Sequence, residues 1–267
     1  MSFSRHRWAC ATLAGILLRV LCEVEPARAS AFRVTPVQVV LSAPISSTLL
    51  TLSNESSESL RFQIRAYAWN QDPKGEMELT PTEDIVLFPS LLTLAPGKER
   101  KVRIGSATSF GSSEKTYRVF FEELPPLEGP RQAATESQVR ILTRMGIPIF
   151  LQPSKPQSAG SIDRLSLDNG HLRFLVRNDG NVHFALRAVR IKGVGAAGDA
   201  LLDRQVEGWY VLPGGTREYD LTLPVGVCLQ LKRVMVEAQT QQDTFKAQLE
   251  MLPEGCGPPD APPPSAP

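Results

Sequence analysis

Short runs in which apolar and polar residues alternate recur along most of the chain, separated by clusters of Pro, Gly, Ser and Asn. In residues 60–69, for example, the apolar side chains of Leu60, Phe62 and Ile64 alternate with polar ones. Successive side chains of a β-strand point to opposite faces, so this alternation predicts strands with one buried and one exposed face. No stretch between residues 32 and 153 keeps a helical period over three turns, and the chain is predicted to be all-β.

The predicted strands fall into two groups. Those of the first group are 32–42, 47–53, 60–69, 85–88, 91–94, 99–104, 116–124 and 138–151, and those of the second are 162–167, 172–178, 184–191, 209–212, 219–223, 233–239 and 244–252. Seven or more short strands in roughly 100 residues are typical of an immunoglobulin-like sandwich. We therefore expect two immunoglobulin-like β-sandwich domains, 32–153 and 161–252, joined by a short polar linker at 154–160.

Both ends of the chain differ from these domains. Residues 1–31 begin with basic side chains, continue with an apolar run from 9 to 21 and end in small residues that include Ala29 and Ala31. This order predicts a cleaved secretory signal peptide, since the run is interrupted by Arg19 and is shorter than the roughly 20 apolar residues of a membrane-spanning helix. The mature protein is expected to be secreted without stable membrane insertion and to end in a Pro-rich tail, 253–267.

Cysteine content and charge limit the chemistry of the mature chain. Cys10 and Cys22 leave with the signal peptide, so Cys228 and Cys256 remain to form a disulfide in an oxidising compartment. The whole chain has 29 basic and 28 acidic residues, a balance that disfavours a nucleic-acid binder.

No pattern of residues predicts catalysis, a metal site or a cofactor. Neither His171 nor His183 has the spacing of a metal ligand to another His or Cys, so both are predicted to be ordinary surface or loop residues. Glycines within 193–198 match a dinucleotide-binding pattern, but the helix that this pattern requires does not follow them. We therefore expect a non-enzymatic protein without a metal or cofactor, and a loop at 193–198.

The predicted strand 138–151 has about 14 residues, whereas five or six are common. Val139, Ile141, Thr143 and Met145 share one of its faces. Pro148 cannot donate a hydrogen bond to a neighbouring strand, which places at least this end at a sheet edge or a bulge. An edge strand with an apolar row is a template for pairing with another chain, and the alternative is an internal strand with both faces covered.

Five stretches occur in a fixed order along the chain: 87–89 with 94–97 and 102–103, then 114–126, 138–153, 178–181 and 212–215. This set resembles the periplasmic pilus-assembly chaperones, which are two-domain immunoglobulin-like proteins. The resemblance implies a periplasmic chaperone that binds fimbrial or pilin-like subunits and delivers them to an outer-membrane usher. An immunoglobulin-like structural or adhesive surface protein is the alternative.

The resemblance also assigns a role to the strand 138–151. A fimbrial subunit lacks one strand of its own sandwich, and the chaperone completes it by donating a strand, an arrangement called donor-strand complementation. The donor residues on this resemblance are Val139, Ile141, Thr143 and Met145. Pairing of the same edge with a second copy, as a self-capping dimer, is left open.

The chain departs from the family where its members anchor the terminal carboxylate of the subunit in the interdomain cleft. The family uses an Arg and a Lys, and alignment places Gln38 and Pro148 at these positions, which implies a divergent branch of the spore-coat-like or archaic type. Arg144 is predicted to be the substitute anchor and Arg118 the second candidate, because a guanidinium can bind a carboxylate through two hydrogen bonds. The alternative for both arginines is an ordinary exposed charge.

Overall fold

The structure, a computed structural model, describes residues 31–127 and 141–257. Within these residues it is almost entirely β-structure, as predicted, and it forms two β-sandwiches that follow each other along the chain. The predicted signal peptide up to residue 30, Val139 and residues 258–267 of the predicted tail lie outside the described residues. In the described ranges, no helix has the length and apolar character needed to cross a membrane.

The first sandwich contains ten strands in two sheets. They are β1 (Phe32–Thr35), β2 (Val39–Leu41), β3 (Ser47–Asn54), β4 (Leu60–Gln71), β5 (Met77–Pro81), β6 (Ile85–Phe88), β7 (Leu91–Leu94), β8 (Glu99–Ser106), β9 (Lys115–Leu124) and β10 (Arg144–Leu151). The back sheet has the order β1-β3-β8-β6, and the front sheet has the order β2-β10-β9-β4-β5, with β7 also paired to β4. The core of the first sandwich lies between the two sheets, where Val119 and Phe121 of β9 are buried in one cluster with Leu50 and Val102 of the back sheet.

The second sandwich contains nine strands. They are β11 (Gly160–Asp168), β12 (His171–Asn178), β13 (Phe184–Ala185), β14 (Ala188–Gly195), β15 (Ala200–Glu207), β16 (Tyr210–Val211), β17 (Thr216–Thr222), β18 (Leu231–Gln239) and β19 (Thr244–Glu250). The strand orders are β11-β12-β17 and β15-β14-β18-β19, with β13 and β16 as a separate pair. A short helix, α1 (Val225–Cys228), follows β17, and a 3₁₀ turn (Pro253–Cys256) follows β19.

A disulfide joins Cys228 of α1 to Cys256 of the 3₁₀ turn. Both cysteines are buried in the core of the second sandwich. The turn is therefore tied to this sandwich, although its residues fall within the stretch that the sequence analysis assigns to the tail.

Some strands differ from the prediction. The predicted strand 32–42 is two strands, because Pro36 lies between β1 and β2 and the chain passes there from the back sheet to the front sheet. The predicted strand 184–191 is likewise divided between β13 and β14. β5 and β15 are not predicted, because most of their side chains are exposed and show no apolar alternation. The predicted loop at 193–198 is the end of β14 and the turn that leads to β15.

Candidate functional site

One edge of β10 has a partner along only part of its length. On one side β10 pairs with β9 from Arg144 to Leu151, whereas on the other side β2 pairs only with the last three residues, Ile149 to Leu151. Over the described ranges, no strand pairs with this second edge between Arg144 and Pro148. β10 is thus an edge strand at its start and an internal strand at its end. An unpaired edge can accept a strand from another chain.

The residues that lead into this edge are exposed. Ile141 and Leu142 have relative exposures of 55% and 43%, and both precede the first residue of β10. Thr143 is half-buried, and Met145 packs against the core of the first sandwich. Of the predicted donor residues that the structure describes, Ile141 is therefore the one that exposes a large apolar side chain. The described part of the predicted strand 138–151 is shortened to β10.

The outer face of the front sheet contacts the second sandwich through aromatic side chains. Trp69 of β4, Phe150 of β10 and Leu212 form a buried cluster. The ring of Tyr210 lies 5.5 Å from the ring of Trp69 and 5.8 Å from that of Phe150. The two sandwiches therefore meet at the end of β10, where β2 closes its second edge. We call this region the interdomain contact.

A buried carboxylate joins the two sandwiches at the interdomain contact. Glu114 directly precedes β9, and its side chain is fully buried. Its Oε1 accepts a hydrogen bond from the backbone N–H of His183 at 3.0 Å and lies 2.7 Å from the ring Nδ1. The ring of His183 stacks on that of Phe150, with 3.6 Å between the centroids. His183 is thus part of the interdomain contact, and no local spacing in the sequence signals a partner 69 residues away.

Arg118 of β9 lies at the interdomain contact with its guanidinium 4.1 Å from the centre of the Trp69 ring. The rings of Trp209 and Tyr210 are 5.7 and 5.9 Å away. Only 7% of Arg118 is exposed, and neither Nε nor Nη2 has a hydrogen-bond partner in the part of the chain that the structure describes. Burial lowers the pKa of Arg118, because it disfavours the charged form. A buried cation with unpaired donors is a favourable partner for an anion.

Other donors at the interdomain contact are unpaired as well. The indole Nε1 of Trp69 and the amide Nε2 of Gln71 are buried without a hydrogen-bond partner among the described residues. The oxygen of the same amide, Gln71 Oε1, accepts a hydrogen bond from the backbone N–H of Leu212 in the second sandwich at 3.3 Å. A carboxylate offers only acceptors and therefore complements a set of unpaired donors.

Gln38 and Pro148 also lie at the interdomain contact. Gln38 Oε1 accepts a hydrogen bond from the hydroxyl of Tyr210 at 3.3 Å. Pro148 is buried and faces Arg118 in the register of β10 and β9. Three of the four predicted anchor residues are thus brought together by the structure.

Arg144 has different surroundings. It is the first residue of β10, at the opposite end of this strand from the interdomain contact. Its Nε lies 2.8 Å from Oε1 of Glu122, and its guanidinium lies 3.7 Å from the centre of the Phe120 ring. About half of the side chain is exposed, so the charge of Arg144 is both paired and hydrated.

A second exposed surface lies on the back sheet. Phe88 of β6 and Leu49 of β3 are both in register with Arg103 of β8, one on each side of it. Phe88 is 75% exposed, and its neighbour on the same face, Val86, is 57% exposed. We call these four residues the back-sheet row. Exposed apolar side chains grouped in this way are typical of protein–protein contacts.

Residues 31–157, which include the whole first sandwich, match a family model described as pili and flagellar-assembly chaperone, PapD N-terminal domain. Among curated proteins there is no significant match.

Solved structures extend the likeness to both sandwiches. The chain is similar to a structure of the CsuC–CsuE chaperone–tip adhesion subunit pre-assembly complex of Acinetobacter baumannii, with 17% identity, a TM-score of 0.55 and coverage of 81% of this chain and 98% of that chain. The chaperone DraB of E. coli has 18% identity, a TM-score of 0.53 and coverage of 83% and 100%. The complex of Salmonella enterica SafA pilin with the SafB chaperone has 14% identity, a TM-score of 0.51 and coverage of 83% and 98%. At these identities the likeness concerns the fold.

Proposed function

We propose, from the match of residues 31–157 to the pili and flagellar-assembly chaperone family, that this chain is a periplasmic chaperone that completes fimbrial subunits by donor-strand complementation and delivers them to an outer-membrane usher. The observation that carries this proposal is the unpaired edge of β10 between Arg144 and Pro148, preceded by the exposed Ile141.

In strand pairing at this edge, backbone groups provide the affinity for a subunit and side chains provide the preference for its sequence. The backbone groups of β10 can hydrogen-bond to any extended segment of a subunit, whereas side chains such as Ile141 fill pockets in the open groove of the subunit. Burying Ile141 contributes about 1.5 to 3 kcal/mol before the costs of association. Met145 packs against the core of the first sandwich, so it holds the start of β10 in place.

β2 determines where the bound segment ends. It pairs with β10 from Ile149 onward, so an added strand can follow β10 only as far as Pro148. The last residues of the subunit would then lie at the interdomain contact. Neighbouring strands are about 4.8 Å apart, which puts the added strand about 10 Å from β9. About three extended residues span that distance and bring a terminal carboxylate to Arg118.

We therefore assign the carboxylate anchor to Arg118 rather than to Arg144. Arg118 is buried with unpaired donors at the place where the segment ends, while Arg144 is already paired with Glu122. A carboxylate bound by Arg118 would be shielded from water by Trp69 and the second sandwich. Shielding strengthens a charged hydrogen bond.

Replacing Arg118 with Met tests this assignment, because it should weaken subunit binding and at the same time stabilise the free protein. Subunit binding should weaken about 10- to 100-fold, the value of a hydrogen bond to a charged group. The free chaperone should become about 1 kcal/mol more stable in chemical denaturation, because a buried and unpaired cation is replaced by an apolar side chain. Arg144→Gln is the matched control and should change binding by less than about threefold. A larger loss for Arg144→Gln than for Arg118→Met would reverse the assignment.

Delivery to an usher requires a surface that stays free while a subunit occupies β10. The back-sheet row provides one, since it lies on the sheet that does not contain β10. Apolar side chains around Arg103 suit a partner whose surface is both apolar and acidic.

Copurification tests the proposed function. The full chain is produced in the periplasm together with fimbrial subunits of its own bacterium, and the tagged chain should retain a subunit. A synthetic peptide with the sequence of the subunit's own donor extension should release it. A soluble segment of the usher should bind the complex without displacing the subunit. A complex that resists the peptide would instead favour the structural or adhesive protein, and the absence of any bound subunit would contradict the proposal.

A further inference from the structure

A buried carboxylate lies at the start of β10. Thr143, the residue before this strand, donates its backbone N–H to Oε2 of Glu123 at 3.2 Å. The backbone N–H of Glu123 in turn donates to the carbonyl of Thr143 at 3.0 Å. Glu123 belongs to β9 and is only 6% exposed. The backbone N–H and the side-chain carboxylate of Glu123 therefore both bind the backbone of Thr143.

This arrangement ends the regular pairing of β9 and β10. In an antiparallel pair, two facing residues exchange two backbone hydrogen bonds. Here the side chain of Glu123 receives the N–H of Thr143, which a main-chain carbonyl would receive in a regular ladder. β9 itself ends one residue later at Leu124, and Pro125 and Pro126 have no N–H with which to extend it.

The two described residues directly before Thr143 lie outside the front sheet. Ile141 and Leu142 belong to no strand, and both expose large apolar side chains. After Leu124, Pro125 and Pro126 offer no backbone N–H, and the Glu123 carboxylate holds Thr143 at the start of β10. Ile141 and Leu142 are therefore left available for pairing with another chain.

We propose that Glu123 is a positioning residue that fixes the point at which the donor segment leaves the front sheet and thereby sets the register of Ile141 relative to β10. The importance of this register for subunit binding rests on the proposed function, whereas the positioning itself is a property of the free protein. The carboxylate oxygen accepts the Thr143 N–H that no main-chain carbonyl receives, which gives an acidic side chain in this buried position a role.

Amide hydrogen exchange in the free full-length protein tests the positioning. In Glu123→Leu, exchange of the Thr143 amide should accelerate about tenfold or more, the effect of leaving a backbone donor without its acceptor, while amides in the middle of β4 and β9 keep their rates. Glu123→Gln retains an acceptor oxygen and should accelerate it about threefold. Glu122→Gln is the control, because Glu122 pairs with the side chain of Arg144 and should leave the Thr143 amide unchanged.

If Glu123→Leu does not fold, the exchange rate of the Thr143 amide in Glu123→Gln still tests the proposal, because Gln preserves the size and shape of the side chain. An unchanged Thr143 rate in a folded Glu123 variant, or an equal acceleration in Glu122→Gln, would overturn the proposal. Binding of the copurifying fimbrial subunit to the same variants is the second measurement, and Glu123→Leu should weaken it about fivefold or more. Altered exchange in a protein that binds no subunit would refute the proposed function and leave the positioning role intact.

Discussion

Replacing Ile141 with Asp is expected, on the proposed function, to reduce subunit binding by more than about a hundredfold while the protein remains folded. The loss has two sources: the apolar contribution of about 1.5 to 3 kcal/mol disappears, and an unpaired carboxylate would have to enter an apolar groove. Folding should not suffer, because Ile141 is 55% exposed and lies outside the sheets. Titration of the purified variant with a subunit, together with a thermal unfolding curve, measures both quantities.

Leu142→Asp is the matched control for this variant. Leu142 has a similar exposure, 43%, but adjacent residues of an extended segment point to opposite faces. It should therefore face away from the groove when Ile141 faces into it. Binding that is lost equally in both variants would show that charge in this segment is harmful in general, and binding that survives Ile141→Asp would refute the donor-strand assignment.

Replacing both Cys228 and Cys256 with Ser is expected to lower the unfolding free energy of the second sandwich by about 3 to 4 kcal/mol. The disulfide closes a loop with a sequence separation of 28, and a cross-link of this span restricts the unfolded chain by about that amount. Both cysteines are also buried in the core, so two hydroxyl groups would replace an apolar contact.

Denaturant unfolding of the wild-type protein with and without reductant, compared with the double Ser variant, measures the contribution of the disulfide. The reduced wild type and the variant should unfold at similar and lower denaturant concentrations than the oxidised protein. The first sandwich, which has its own core and contains neither cysteine, serves as the internal reference. Equal stability of the oxidised wild type and the variant would contradict this prediction.

The sequence predicts most of the fold because the buried faces of the strands follow a period of two. β4 and β9 are recognisable for this reason, since each alternates core residues with polar or outward-facing ones. β5 and β15 are not, because strands whose side chains are mostly exposed carry no such pattern. Pro36 marks the division of the first predicted strand, yet the sequence does not tell that the chain changes sheets there.

The sequence predicts those parts of the candidate site that lie within one continuous segment of the chain. The alternation at 138–151 points to the proposed donor strand, but the proposed role of Glu123 depends on a contact with Thr143, which is 20 residues away. The two candidate arginines are harder still to rank. Arg118 and Arg144 both lie on strands of the front sheet, and their difference comes from Trp69 on one side and Glu122 on the other. Neither neighbour is adjacent in the sequence.

On the proposed function, the parallel pairing of β2 with the last three residues of β10 limits the length of the subunit segment that can pair with β10. A subunit segment that ends opposite Pro148 fits at the open edge of β10. A longer segment would collide with β2, which already pairs with β10 from Ile149 onward. This limit depends on backbone pairing and on no particular side chain, so the proposed function extends to fimbrial proteins of unrelated sequence whose terminal segments have equal length.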